Sequence, residues 1–325
     1  MPDQLQHLRS ELAEEYLIER ELGRGGAATV YLAHDRKHDR AVAIKVLLPA
    51  LAAGIDAERF LREIKVLASL QHPNILPLFD SGRVAASPYG AWALYYVMPR
   101  VDGESLRSRL DRRRKLPLAD ALRITREVAD GLHHAHTHDI VHRDVKPDNI
   151  LLERETGRAL VTDFGIARAM GRVHTPPERL TDPGTTIGTP AYMSPEQASG
   201  DRELDGRSDI YSLACVLHEM VSGQPPFCGQ TTQAIMAQHL TVEAPALRGA
   251  WLDVPAPIER AVARALAKSP ARRFATAADF ARALALPDDA AGRIRRLLSS
   301  ISFMSPAALA AAYRRARHRD ETDER

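Results

Sequence analysis

Cysteine is nearly missing from this sequence: Cys215 and Cys228 are the two in 325 residues. So few thiols in a chain long enough to bury its own core exclude a disulfide-stapled secreted scaffold, and point to a reducing cytosol with both cysteines unpaired. Net charge is missing as well. Lys and Arg number 44 against 42 Asp and Glu, leaving a formal +2, so no global field argues for nucleic acid or a membrane surface and partners must be selected at local sites. Long apolar runs are also lacking. Met1 to Glu15 is polar and acidic, without the basic start and apolar core of a secretory signal. Leu297 to Tyr313, the longest uncharged stretch near the end, is interrupted by Pro306 and several serines and is shorter than the roughly 20 apolar residues of a spanning helix. No export and no transmembrane segment are expected, which places the protein in the cytoplasm.

What is present divides in two. A composition of 45% hydrophobic and 26% charged residues gives material for two compact units. From Tyr16 to Val101 the segments Ala28–Ala33, Ala41–Leu48, Ile75–Val84 and Ala91–Met98 are rich in Val, Ile, Leu and Tyr and predict strands. Among them Ala57–Leu70 predicts a helix, with Phe60, Ile64, Leu67 and Leu70 near one face. From Ser105 onward the pattern is helical, over Leu118–His136, Ser208–Val221, Gln233–His239, Ile258–Ala267 and Ala278–Leu284. The fold class is therefore α+β and bilobal: a small sheet with one main helix, then a larger helical lobe, with a hinge near Val101 to Gly103 and a ligand cleft between. The boundaries are 1–15 for a polar leading segment, 16–101 and 102–286 for the lobes, and 287–325 for a basic tail. In that tail Gly292 to Arg319 carries arginines and no acidic residue until Asp320, and Ser305-Pro306 can start a helix. A solvated helix face is the simpler account of it than a docking site.

Several motifs carry chemistry. Leu22-Gly23-Arg24-Gly25-Gly26-Ala27-Ala28-Thr29-Val30 lies between two strand-like segments, where missing side chains let backbone amides approach phosphate oxygens. By itself it is equally a hairpin turn. Val42-Ala43-Ile44-Lys45 follows, and a lysine among Val and Ile is costly to desolvate unless it meets an anion or a carboxylate. Glu63 on the next helix can supply one. His142-Arg143-Asp144-Val145-Lys146-Pro147-Asp148-Asn149 gathers carboxylates, cations and an amide into one loop, and is the strongest single signal. Asp163-Phe164-Gly165, behind Ala159-Leu160-Val161, sets a carboxylate at a strand end beside a permissive glycine, as a metal site needs.

In order and spacing these elements resemble the bacterial eukaryotic-like (Hanks-type) serine/threonine protein kinases, over roughly Tyr16 to Leu286. Gly188-Thr189-Pro190-Ala191-Tyr192-Met193-Ser194-Pro195-Glu196 is similar to the end of an activation segment, Asp209-Ile210-Tyr211-Ser212 to the start of the central helix, and Pro270-Ala271-Arg272-Arg273-Phe274 to the stretch whose arginine pairs with Glu196. The resemblance implies that Gly23, Arg24, Gly25 and Gly26 cover the phosphates of ATP and that Lys45, oriented by Glu63, grips them. It implies that Asn149 and Asp163 hold magnesium, or manganese in its place. Asp144 would accept the proton of a protein Ser or Thr hydroxyl, and Lys146 would stabilise the moving phosphoryl group. Leu22, Val30, Ala43 and Leu151 would sandwich adenine, with the backbone of Pro99 to Val101 at its edge. Leu67, Leu78, His142 and Phe164 would stack as an internal spine.

The sequence departs from the family pattern at Ala28, Ser194, Ala214 and Pro99, none of them a catalytic group. A pseudokinase and a small-molecule phosphotransferase are the competing functions. Against the first, Lys45, Glu63, Asp144, Lys146, Asn149 and Asp163 are all present; against the second, the Thr189 to Glu196 segment is a platform that a small substrate does not need. Thr181, Thr185 and Thr186 are candidate autophosphorylation sites, with Arg143 as a cation that a phosphate could capture. Oligomeric state, homodimerisation included, is left open.

Overall fold

The computed structural model describes residues 2–26, 28–47, 57–85, 92–164, 190–201, 203–247 and 254–285. A first helix, α1 (Pro2–Glu11), leads into β1 (Tyr16–Arg24), β2 (Ala28–Asp35) and β3 (Arg40–Leu47), joined by β4 (Asp80–Ala85) and β5 (Trp92–Pro99). These form one antiparallel sheet in the order β1-β2-β3-β5-β4. The two-residue period of a strand sends Val42, Ile44 and Val46 to one face, where they are buried with Ile18, Tyr31, Val84 and Val97. Ala43 and Lys45 take the other face. In register, Ala43 lies opposite Met98 and Lys45 opposite Tyr96, so the second face carries an ammonium beside a phenol. Helix α2 (Ala57–Ala68) buries Phe60, Ile64 and Leu67, the stripe its sequence predicted.

The strand expected over Ile75–Val84 is confined to Asp80–Ala85. Pro77 cannot donate to a ladder, and the residues before it reach the other lobe instead: Ile75 forms a parallel bridge with Val161, and Leu76 N–H donates to Val161 O at 2.9 Å. Composition marks Met1 to Glu15 as polar, yet Leu8 and Leu12 are buried in the same cluster as Tyr16 and Val97. Arg9 fastens α1 by donating to the carbonyls of Ile18 (3.1 Å) and Glu19 (2.6 Å).

A second, three-stranded antiparallel sheet of β6 (Gly103–Ser105), β7 (Ile150–Glu153) and β8 (Ala159–Val161) opens the helical lobe. Gly103 is required there, because a Cβ would sit 2.1 Å from Leu152 O. The helices are α3 (Leu106–Arg113), α4 (Leu118–His136), α5 (Pro195–Ser199), α6 (Gly206–Ser222), α7 (Thr232–Thr241), α8 (Ala256–Ala265) and α9 (Ala277–Ala283). Their ends follow local chemistry. Ser105, Asp205, Thr231 and Thr276 accept from backbone N–H groups at N-caps, and Ser194 forms a capping box with Gln197. Residues 208–221 of α6 are all buried, as befits the helix around which the lobe packs. No helix among the described residues is long and apolar enough to cross a membrane.

Candidate active site

The loop that follows α4 is held from beneath. Asp209, in the first turn of α6 and fully buried, accepts from the backbone N–H of His142 (2.8 Å) and of Arg143 (2.8 Å), and its Oδ2 also meets His136 Nε2 at 2.8 Å. Burial pushes the Asp209 carboxyl up, but these donors prevail and hold it below the usual carboxylate range. Arg143 is thereby kept at φ +69°, a conformation that non-glycine residues rarely adopt. His142, itself buried, places Nε2 2.9 Å from Thr162 O while Nδ1 accepts from Asp144 N–H at 3.2 Å, which assigns the Nε2–H tautomer.

Asp144 then projects with one oxygen engaged: Oδ2 accepts from Lys146 Nζ (2.7 Å) and from Asn149 Nδ2 (3.1 Å), and its side chain is 39% exposed. Both bonds fall on Oδ2, which leaves Oδ1 for an incoming hydroxyl. Asn149 sits in the 3₁₀ turn Pro147–Asn149 and also donates Nδ2 to Asp144 O at 2.8 Å. With its amide hydrogens turned to Asp144, its remaining side-chain atom is a carbonyl oxygen, a hard donor suited to magnesium.

Beyond β8, Asp163 stands at φ +66°. Lys45 Nζ donates to its Oδ2 at 2.5 Å and Tyr96 OH to its Oδ1 at 2.6 Å. Burial raises the Asp163 carboxyl, and the Lys45 ammonium, with the Lys45 and Tyr96 hydrogen bonds, overcomes it and keeps it ionised below its ordinary value. Phe164 packs against His142, ring centroids 4.6 Å apart, and shares a small cavity with Leu67 and Leu78, so the four expected spine residues come together. Helix α2 brings Glu63 to the wall of a cavity of ≈ 390 Å³, with His138, Val141, Arg143 and Leu204 among its lining, and Lys45 pairs with Asp163.

The residues expected to meet a nucleotide lie on β1, β2, β3 and β7 and just beyond β5. Gly23 pairs with Val30 across the β1–β2 hairpin, and Gly25 N–H closes the turn on Ala28 O at 2.9 Å. A Cβ on Gly23 would meet nothing within 4 Å, so the fold does not itself demand glycine there. Arg24 is tied to Glu21 at 2.7 Å on the surface, and Gly26 is exposed. Leu22 is an exposed leucine, Val30, Val101 and Leu151 are half-buried, and Ala43 is buried, the mix expected of an apolar slot for a flat ring.

Further down, Glu196 and Arg273 form a bidentate pair, Nη1 to Oε1 and Nη2 to Oε2 both at 2.7 Å, with Ser208 Oγ on Oε1 at 2.5 Å. Burial raises Glu196 and these donors bring it below its usual range. Arg107 bridges Glu219 (2.9 and 3.0 Å) and Tyr192 OH (2.5 Å), with Asp148 3.9 Å away. Neither Tyr96 nor Arg107 lies in any of the motifs above. Thr181, Thr185 and Thr186 lie outside the described residues.

A five-stranded sheet that delivers a lysine to an aspartate beyond β8, above a His-Arg-Asp loop braced by α6, defines the protein kinase fold. The family model described as protein kinase domain matches residues 16–283, and the chain belongs to that family. Serine/threonine-protein kinase PknJ of Mycobacterium tuberculosis is 39% identical over 276 residues, covering 83% of this chain and 45% of that protein. PknB of Mycolicibacterium smegmatis is 40% identical over 270 residues, covering 83% and 42%. The crystal structure of a cysteine-to-alanine mutant of the Mycobacterium tuberculosis PknI kinase domain superposes with a TM-score of 0.65 at 32% identity, over 83% of this chain and 94% of that one. The chain thus spans less than half the length of the curated relatives it matches.

Proposed function

We propose that the chain is an active serine/threonine protein kinase that moves the γ-phosphate of ATP to Ser or Thr hydroxyls of protein substrates, working in the cytoplasm where ATP is abundant. The observation that carries this reading is Asp144: a half-exposed carboxylate whose Oδ2 is anchored by Lys146 and Asn149 while neither of them engages Oδ1. In that arrangement Asp144 accepts the hydroxyl proton as the hydroxyl oxygen attacks, and Lys146 is a cation beside the charge that builds on the transferred group. The Asp163 carboxylate and the Asn149 carbonyl are the hard oxygen donors that magnesium or manganese favours. A divalent ion bound there offsets the charge of the phosphate oxygens during transfer. Lys45, on a flexible stem now paired with Asp163, is in reach of the same region and can turn to the α and β phosphates.

Autophosphorylation of Thr181, Thr185 or Thr186 is proposed as the switch, since phosphothreonine brings about −1.5 to −2 charges into a segment that runs between Asp163 and Glu196. Protein substrates follow from the Ser194–Glu196 platform fixed to Arg273. The test is transfer of radiolabelled phosphate from ATP to a generic protein, to sugars and to aminoglycosides, with magnesium and with excess chelator. Labelled protein that disappears in chelator is expected; label on small molecules alone, or none anywhere, overturns the reading. Mass spectrometry should find phosphate on those threonines in the parent and not in Asp144→Asn.

A further inference from the structure

Tyr96 is buried to 0% exposure in the centre of β5, directly opposite Lys45 in the β3–β5 register. A hydroxyl buried so deeply is costly unless it meets an acceptor, and the acceptor here is Asp163 Oδ1 at 2.6 Å. A leucine or methionine would fill the same space without that requirement. The phenol is therefore there for the carboxylate. A carboxylate can only accept, so the phenol is the donor in this bond.

The two donors on Asp163 differ in kind. Lys45 reaches Oδ2 on a long flexible stem and has phosphates to serve. Tyr96 has few rotamers, is clamped by its strand, and stays when Lys45 turns away. Thr162 Oγ1, at 3.4 Å from Oδ1, is too distant to take over. A carboxylate oxygen has two lone pairs, so Oδ1 can accept from the phenol and still ligate a cation. We propose that Tyr96 is a positioning residue that fixes the rotation of the Asp163 carboxylate for divalent-metal binding. The inference rests on the reading of Asp163 as a metal ligand, and it is the role that outer partners of metal ligands generally play.

The test uses the full chain with a non-hydrolysable ATP analogue and titrates Mn²⁺, following free ion by its EPR signal. Tyr96→Phe removes only the hydroxyl and should weaken Mn²⁺ binding by about 10- to 100-fold, raise the magnesium needed for half-maximal transfer, and leave kcat at saturating magnesium close to the parent. Tyr95→Phe, one residue along on the opposite face, should leave the titration unchanged. Binding within about twofold of the parent, or tighter, in Tyr96→Phe overturns the proposal. So does loss of its cooperative thermal melt, which would make the phenol a structural bond. Asp163→Asn separates the two ideas. If it binds Mn²⁺ like the parent, the metal reading itself is wrong; if it loses binding while Tyr96→Phe does not, only the role of Tyr96 is.

Discussion

Two carboxylates of the helical lobe, Glu196 and Asp144, both meet cations, and they are dressed in opposite ways. Glu196 is saturated: both oxygens are taken by Arg273, one also by Ser208, and the buried guanidinium spends its other donors on the carbonyls of Ala267, Lys268 and Arg207. Asp144 has one oxygen occupied and is partly exposed. Asp163 falls between them, engaged on both oxygens but by one partner, Lys45, that can leave. A pair that holds structure leaves no donor or acceptor over. A carboxylate that does chemistry keeps an atom unspent or a partner that can be exchanged.

The comparison breaks most visibly at Lys45 and Asp163. Lys45→Met and Asp163→Asn should each lower kcat by on the order of 10²–10³-fold or more, because transfer depends on placed charge, while their melting temperatures stay near the parent's. Equal losses of stability and activity would put these residues on the structural side. At the saturated pair the outcome should be reversed. Arg273→Ala leaves Glu196 buried and uncompensated, and denaturation in urea should show a loss of about 3–5 kcal/mol, with activity falling only as the folded fraction falls.

The smallest effect is expected at a third pair, near the surface. Glu104 is held at a pKa of about 2, first by the Arg112 hydrogen bond, against partial burial, and then by Arg109. A folded pKa below the unfolded one contributes stability that is complete above the ordinary carboxylate value and is lost as pH falls toward 2. Solvent screening limits a partly exposed pair to about 1 kcal/mol or less. Glu104→Gln should therefore melt slightly lower than the parent at pH 7, and the difference should close on acidification. A gap that persists at low pH would assign the effect to packing.

What could be foreseen from sequence was local. The helix over Leu118–His136 was legible because its apolar residues keep a single period, and it occurs with those bounds. The loop His142–Asn149 was legible because its chemistry is contiguous. Partners brought together by strand register or by tertiary packing were not: Tyr96 lies 67 residues from Asp163, and Arg107 lies 112 from Glu219. Neither distance leaves a trace in a linear pattern. Leu8 and Leu12 were hidden by an acidic surrounding sequence, although their spacing of one helical turn is the signal that marks α1 as a packed helix.

The proposed role of Asp144 as proton acceptor is tested by single-turnover transfer of labelled phosphate by Asp144→Asn beside the parent, with nucleotide affinity measured in parallel. Asparagine keeps the shape and the bonds to neighbours while removing the basic oxygen. A rate lower by on the order of 10²–10⁴-fold is expected at nearly unchanged nucleotide affinity. Transfer within about twofold of the parent would contradict it.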